Sequence, residues 1–508
     1  MKPFLLTDYF DQAAERWGDR VAMEDVNVAV TYRQLWEKSR NFARFLSRQE
    51  EQTTSPIGLY FPKGIPCVTA MMGVLYHGGS YAPLDVRAPF SYVEKALDVL
   101  ECEWILTDNL GEQALKKAGA RQRIFNLDQI EAQAESQRLA VRKPLDCDPA
   151  FFLFTSGSTG VPKGVAISHR RVMDYISWAA DFFDCDSQTV IGNQAPFLFT
   201  VSVMDLYLCF YAGARLCLIP EHTLATPTIL VDFLKEKRIT FIFWVPSVYA
   251  NVWKSGALSD VSLPDLRQGL FVGEPMPPYV INGWISRLSH VKFYNLYGST
   301  ETDMTLCYPV IGEQTEGEGI PLGKPRKNVD AFLLDGDQQV THPGEMGEIC
   351  IRGTTLANGY WNNAEKTAQA FGENPCNPHY PEIIYRTGDL GSWDPNGNLH
   401  FHGRKDHQFK HLGYRLEANG IEEIALSSGM IHEACIQYDA GKQQIVLFYI
   451  PSESWEPREF RRFLMGAMPA YMLPTRMIEL DRMPRTISGK RDRVLLQKQY
   501  LEGKEGGE

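Results

Sequence analysis

What the chain lacks narrows it first. None of its 508 residues lie in a run near the eighteen or more apolar residues of a membrane helix, so no membrane span is expected. The amino terminus, MKPFLLTDYFDQAAERWGDR, offers three apolar residues before Thr7 and Asp8, far short of a signal peptide's apolar region. Ten cysteines are scattered from Cys67 to Cys435 and never form C-x-x-C, which predicts reduced thiols in a cytoplasmic protein and argues against a thiolate metal site. Positive charge is the minority sign. With 51 Lys and Arg against 62 Asp and Glu, the net charge of -11 argues against a nucleic-acid partner. There is no internal repeat or low-complexity segment.

A chain this long with 44% hydrophobic residues can bury more than one core, so a large composite domain and a smaller one are expected. Short apolar runs bounded by turn residues, SPIGLYF, ARLCLIP and ITFIFWVP, read as buried strands, with the helical stretches YRQLWEKSRNFARFLSRQ and TILVDFLKEKR between them. The pattern predicts an α/β fold. The polar, glycine-bracketed stretch GRKDHQFKHLG from Gly403 is the expected domain boundary, giving domains 1–403 and 404–508. The tail EGKEGGE is expected to fray.

The most specific stretch is TSGSTGVPKG, between the apolar FFLF and the strand-like VAIS. Thr155, Ser156, Ser158 and Thr159 supply hydroxyls, Gly157 and Gly160 permit close backbone approach, and Lys163 brings a positive charge, a set suited to phosphate oxygens. A P-loop places Ser or Thr directly after its lysine, whereas Gly164 follows here. A plain Gly/Ser hairpin is the bland alternative, and the ordered Pro-Lys-Gly ending weighs against it.

In the same chain follow GVLYHGGSYAPLD before the loop and, after it, NLYGSTET, GEMGEICIRG, YRTGDLG, GRKDHQFKHLGYRLE, PAYMLP and RTISGKRDR. In this order the segments resemble the adenylate-forming superfamily of acyl-CoA synthetases, luciferases and nonribosomal peptide synthetase adenylation domains, and the similarity spans nearly the whole chain. The resemblance implies a large N-terminal domain of layered α/β subdomains, a small mobile α+β C-terminal domain, and conversion of a carboxylate to an acyl-AMP with ATP and Mg²⁺. It implies that the loop Thr155–Lys163 grips the β and γ phosphates. In NLYGSTET it implies that Tyr297 stacks on adenine beside Gly298, Ser299 and Thr300, while Glu301 offers Mg²⁺ a hard oxygen. Asp389 of YRTGDLG would hold the ribose hydroxyls, with Arg404 adding a contact. Lys490 of RTISGKRDR would bridge the substrate carboxylate and the α-phosphate, and Asp406 would be the hinge on which the small domain turns.

The stretch NQAPFLFTVSVMDLY is similar to the D-alanine–carrier-protein ligases, which favours an amino acid. In that pattern an aspartate pairing with the α-ammonium follows the second Phe, here Phe199, and this chain has Thr200. A buried ammonium without a counter-charge is costly. The other pocket positions implied are Val201, Met204, Phe243, Leu270, Val272, Leu296, Met304 and Thr305, mostly bulky, which favours glycine or alanine. Asp205 and Asp303 are the acidic residues near enough to replace the missing aspartate. The family's Glu is absent at Gly420. With no carrier signature after the last motif, the expected acceptor is the phosphopantetheine thiol of a separate carrier protein, for which Arg491 and Arg493 are a meagre docking patch. A non-amino aryl or acyl acid loaded onto CoA or a carrier, which needs no aspartate, is the alternative.

Overall fold

The structure is a computed structural model that describes residues 3–26, 28–130, 143–157, 159–259, 261–486 and 491–502. Ser158, Lys490 and the end of the glycine-rich tail therefore lie outside the described residues.

The chain divides into two compact units: Met1–Asp85, Leu100–Phe154 and Gly164–Lys405 form one, and Val86–Val99, Thr155–Lys163 and Asp406–Glu508 the other. All five runs read as elements from sequence are elements of the fold, with strands Ile57–Tyr60, Arg215–Leu218 and Phe241–Trp244 and helices Tyr32–Ser47 and Pro227–Glu236. Tyr32–Ser47 begins with a capping box, Thr31 accepting from Gln34 N, and alternately buries and exposes its faces.

In the first unit a nine-stranded sheet carries the central region. Val190–Asn193, Phe241–Trp244, Gln268–Val272 and Lys292–Ser299 pair in parallel, and Lys292–Ser299 then turns back antiparallel against Asp303–Val310. Strand alternation separates two cores. Phe241, Phe243, Leu270, Val272, Tyr294 and Leu296 join one apolar cluster, while Ile242, Trp244, Phe271 and Phe293 join another. A second, six-stranded sheet runs from Arg123–Asn126 to Lys163–Ser168, with the almost wholly buried strand Pro149–Thr155 next to last. Such continuous apolar runs are typical of parallel strands covered on both faces. A third, antiparallel sheet contains Gly347–Gly353, Ile383–Trp393 and Leu399–Arg404.

The second unit holds the hairpin Gln408–His411 with Tyr414–Glu417, a three-stranded sheet of Ile431–Asp439, Gln444–Pro451 and Arg476–Glu479, and the helices Ala418–Leu426 and Pro457–Ala467. Its core is Leu416, Ile421, Ile424, Ile436, Leu447, Phe460 and their neighbours. The stretch expected to be a polar linker contains the strand Gln408–His411. A two-stranded ribbon with few apolar residues has no periodic signal to distinguish it from a loop.

All ten cysteines are free. Among the described residues no helix is long and apolar enough to cross a membrane, and no group of three or more His, Cys, Asp or Glu side chains could hold a metal ion.

Candidate active site

The glycine-rich loop leaves the strand Pro149–Thr155 and returns as Lys163–Ser168. Thr155 is buried, and its hydroxyl oxygen has no hydrogen-bond partner among the described residues. An orphaned hydroxyl at the mouth of such a loop suits an incoming phosphate oxygen. Ser156 Oγ donates to Arg415 O at 2.8 Å, and Gly160 N donates to Gly157 O at 3.1 Å, closing the turn that also carries the exposed Thr159. Lys163 Nζ lies 2.8 Å from Glu417 Oε1, which Gln408 Nε2 also approaches, at 3.0 Å. The departure at Gly420 has a steric reason: a Cβ there would sit 2.3 Å from Gly157 O. Helix Ala418–Leu426 and the loop approach too closely for a side chain.

In the first unit three expected nucleotide residues meet. Tyr297 on strand Lys292–Ser299 donates its hydroxyl to Asp389 Oδ2, and Asp389 Oδ1 accepts from Arg404 Nη1. Asp389 and Arg404 are register partners on neighbouring antiparallel strands, so the backbone ladder itself brings the ion pair together. Burial, and then the Asp389 carboxylate, push the Tyr297 hydroxyl well above its ordinary pKa, so it remains a donor.

Glu301 is nearly fully buried in the turn between strands Lys292–Ser299 and Asp303–Val310. Its Oε1 accepts from the Tyr360 hydroxyl at 2.8 Å, and its backbone oxygen accepts from Ala357 N at 2.9 Å. Ser299 and Thr300 are half-buried in the same turn. Gly298 is required there because a Cβ would stand 1.8 Å from Asp303 O.

The expected pocket positions are gathered by the sheet. Phe243 pairs with Leu270, and Val272 with Leu296, on one face of the central sheet. Val201, Met204 and Met304 join the same apolar cluster. Thr200 opens the helix Thr200–Ala212, with Phe199 at its N-cap, and Thr305 Oγ1 donates to Tyr297 O at 3.2 Å. Val201, Met204 and Asp205 follow at helical spacing.

The two acidic candidates have different surroundings. Asp303 Oδ2 pairs with Arg171 Nε at 2.8 Å, both side chains fully buried. Asp205 is fully buried; its Oδ2 accepts from Asn193 Nδ2 at 2.9 Å, while its Oδ1 has no hydrogen-bond partner among the described residues. Burial raises its carboxyl to about 7, against smaller opposing effects of the Asn193 bond and the Lys63 charge.

In the second unit Asp406 is exposed and accepts from Gln408 N at 3.1 Å. Arg491 and Arg493 both reach Glu422, at 2.8 and 2.6 Å, so the arginines considered as a docking patch are engaged within their own domain. Sequence reasoning did not single out Arg171, Tyr360, Glu417 or Asn193. Glu417 closes the quoted GRKDHQFKHLGYRLE and Asn193 opens NQAPFLFTVSVMDLY, whereas Tyr360 and Arg171 lie outside the quoted motifs.

The fold and these motifs define an ATP-using, adenylate-forming enzyme, and comparison with known proteins bears this out. The chain belongs to the AMP-binding enzyme family, whose profile matches residues 10–361. It is 32% identical over 494 residues to tyrocidine synthase 1 of Brevibacillus parabrevis, covering 96% of this chain and 44% of that protein. The chain spans less than half the length of curated relatives such as this one. Among solved structures, the adenylation domain AlmE of Vibrio cholerae, in complex with glycyl-adenosine-5'-phosphate, superposes with a TM-score of 0.84 at 22% identity, covering 98% of each chain. PA1221, a protein with adenylation and PCP domains bound to a vinylsulfonamide inhibitor, gives 0.84 at 23% identity over 97% of this chain and 84% of that one. The chain is an adenylate-forming ligase of the AMP-binding enzyme family.

Proposed function

We propose that the protein activates a small amino acid, glycine or alanine, as its aminoacyl-AMP and transfers it to the phosphopantetheine thiol of a carrier protein in the cytoplasm. The carboxylate oxygen attacks the α-phosphate of ATP, the α–β phosphoanhydride bond breaks, and pyrophosphate leaves; the thiol then displaces AMP from the acyl carbon. The small domain, 404–508, pivots at Asp406 between the two steps.

Each residue's part follows from its chemistry. The loop Thr155–Lys163 holds the β and γ phosphates through backbone N–H groups, hydroxyls and the Lys163 charge. Tyr297 and Asp389 receive adenine and ribose, with Arg404 orienting the Asp389 carboxylate by its hydrogen bond. Glu301 fits Mg²⁺, because that ion commonly takes one or two carboxylates and completes its shell with phosphates and water. Bound there, Mg²⁺ would neutralise phosphate charge. Tyr360 orients the Glu301 carboxylate by its hydrogen bond. Lys490 stabilises the charge that develops between carboxylate and α-phosphate.

What supports the choice of acid is the presence of Met204, Phe243, Leu270, Val272, Leu296 and Met304 in one buried apolar cluster, because a site walled by side chains of that bulk takes an acid with little beyond its α-carbon. Asp205, with a buried oxygen that has no hydrogen-bond partner among the described residues, is the counter-charge for the ammonium. A second reading, an acid without an amine, is favoured by Thr200 and by the engagement of Asp303 with Arg171. Trapping the acyl-adenylate with hydroxylamine separates them: glycine or alanine hydroxamate is expected, and hydroxamate formed only from benzoates or fatty acids would transfer the assignment to the second reading.

A further inference from the structure

The buried Arg171–Asp303 pair belongs to neither the nucleotide cluster nor the apolar pocket wall, and its geometry brackets Glu301. From the helix His169–Phe182, Arg171 sends Nε to Asp303 Oδ2 at 2.8 Å and Nη2 to Thr300 O at 2.7 Å. One planar guanidinium thus ties the chain immediately before Glu301 and two residues after it. From the other side Thr355 Oγ1 donates to Thr302 O, Ala357 N to Glu301 O, and the Tyr360 hydroxyl to Glu301 Oε1. Every residue from Thr300 to Asp303 is fastened to an element distant in sequence.

The turn needs such fastening. Asp303 has φ of +52°, a conformation that non-glycine residues adopt only when surroundings impose it. The strand register shifts at Tyr297/Gly298, and the chain crosses itself closely at Gly298. Stability alone explains the pair poorly. Arg171 Nη1 and Asp303 Oδ1 are buried with no hydrogen-bond partner among the described residues, so the pair is only partly satisfied. A buried ion pair of that kind rarely outweighs its desolvation, and well-packed apolar residues of similar volume are often equally stable. What the pair supplies that apolar residues cannot is a directed hold on a carbonyl and a carboxylate at a fixed separation.

We infer that Arg171 and Asp303 are positioning residues: their pair sets the turn Ser299–Asp303 so that Glu301 presents its carboxylate to Mg²⁺ bound with ATP. Rather than contacting substrate, Asp303 acts through Arg171. The inference rests on the assignment of Glu301 to the metal.

The test compares wild type, Glu301→Gln, Arg171→Lys, Asp303→Asn and the double variant Arg171→Met/Asp303→Leu. Calorimetric titration of ATP with Mg²⁺ and again with EDTA yields the Mg²⁺-dependent gain in affinity, and thermal unfolding yields stability. The double variant is expected to unfold near wild-type temperature, above Asp303→Asn, because no lone buried charge remains. Its Mg²⁺-dependent gain should nevertheless fall about tenfold, as when a partner that orients a metal ligand is lost. Adding Glu301→Gln should cause no further fall. A double variant with the wild-type gain overturns the inference. Should that variant fail to fold, Arg171→Lys decides, since it keeps the charge and loses the second arm to Thr300 O: a reduced gain supports the clamp and an unchanged gain overturns it. An unchanged gain in Glu301→Gln refutes the metal assignment itself, whereas a fall there alone refutes only the clamp.

Discussion

The ammonium of Lys163 lies 2.8 Å from the carboxylate of Glu417, with both side chains largely shielded from water. The one lysine of the glycine-rich loop is thus already neutralised by a carboxylate. Phosphates that recruit Lys163 must compete with Glu417, and a ligand's apparent affinity falls by whatever fraction of the protein is held in the unproductive state. Glu417→Gln is therefore expected to bind ATP a few-fold more tightly. Direct titration of ATP checks this; weaker binding would mean that Glu417 orients the lysine instead of restraining it.

Lys490→Ala should split the two half-reactions. A cation directed at developing charge in a closed site is worth about 10²- to 10³-fold in rate, so adenylate formation should fall by that order. Transfer from a pre-formed aminoacyl-AMP to a carrier thiol should persist. Equal loss in both, measured separately, would contradict the assignment.

Asp205 predicts a pH dependence. Burial raises its carboxyl from 3.8 to about 7, so across that interval the folded state binds a proton that the unfolded chain has released. Stability is then fully present below the unfolded pKa and is lost as pH rises through the folded one. Asp205→Asn should flatten this decline in a series of thermal unfolding curves. If the ionised carboxylate receives the substrate ammonium, KM for the amino acid should also fall as pH rises through about 7, and this dependence should vanish in Asp205→Asn. A flat KM profile in wild type would separate Asp205 from the substrate.

Met304 is buried on the strand that follows Glu301, in the same cluster as Phe243 and Leu270. Met304→Ala should admit larger side chains at the expense of glycine, read as a change in the ratio of kcat/KM values. The same substitution should cost about 2–5 kcal/mol of stability, as large-to-small core changes do. An unchanged ratio would show that Met304 is core and no part of the pocket.

The parts of this molecule legible in its sequence are those set by local pattern. ITFIFWVP reads as a strand because it is short, apolar and turn-bounded, and it is the strand Phe241–Trp244. The meeting of Tyr297, Asp389 and Arg404 was not visible as a contact, although the motifs named all three, because it depends on how distant strands register. Arg171 and Asp303 are separated by 132 positions, and in the adjacent pair Arg170–Arg171 nothing local marks which arginine is buried. Only the tertiary fold turns it inward. Gly420 shows the reverse: a departure from a family pattern becomes intelligible once Gly157 O is seen where a side chain would lie.

The central claim is tested most directly by substrate-dependent exchange of labelled pyrophosphate into ATP, run with the whole chain across amino acids, β-amino acids, benzoates and short fatty acids. The highest kcat/KM is expected for glycine or alanine, falling steeply as the side chain lengthens and as the amine is removed. Exchange in which a benzoate or a fatty acid exceeds every amino acid would contradict it, and would explain Thr200 as the mark of a site with no amine to bind.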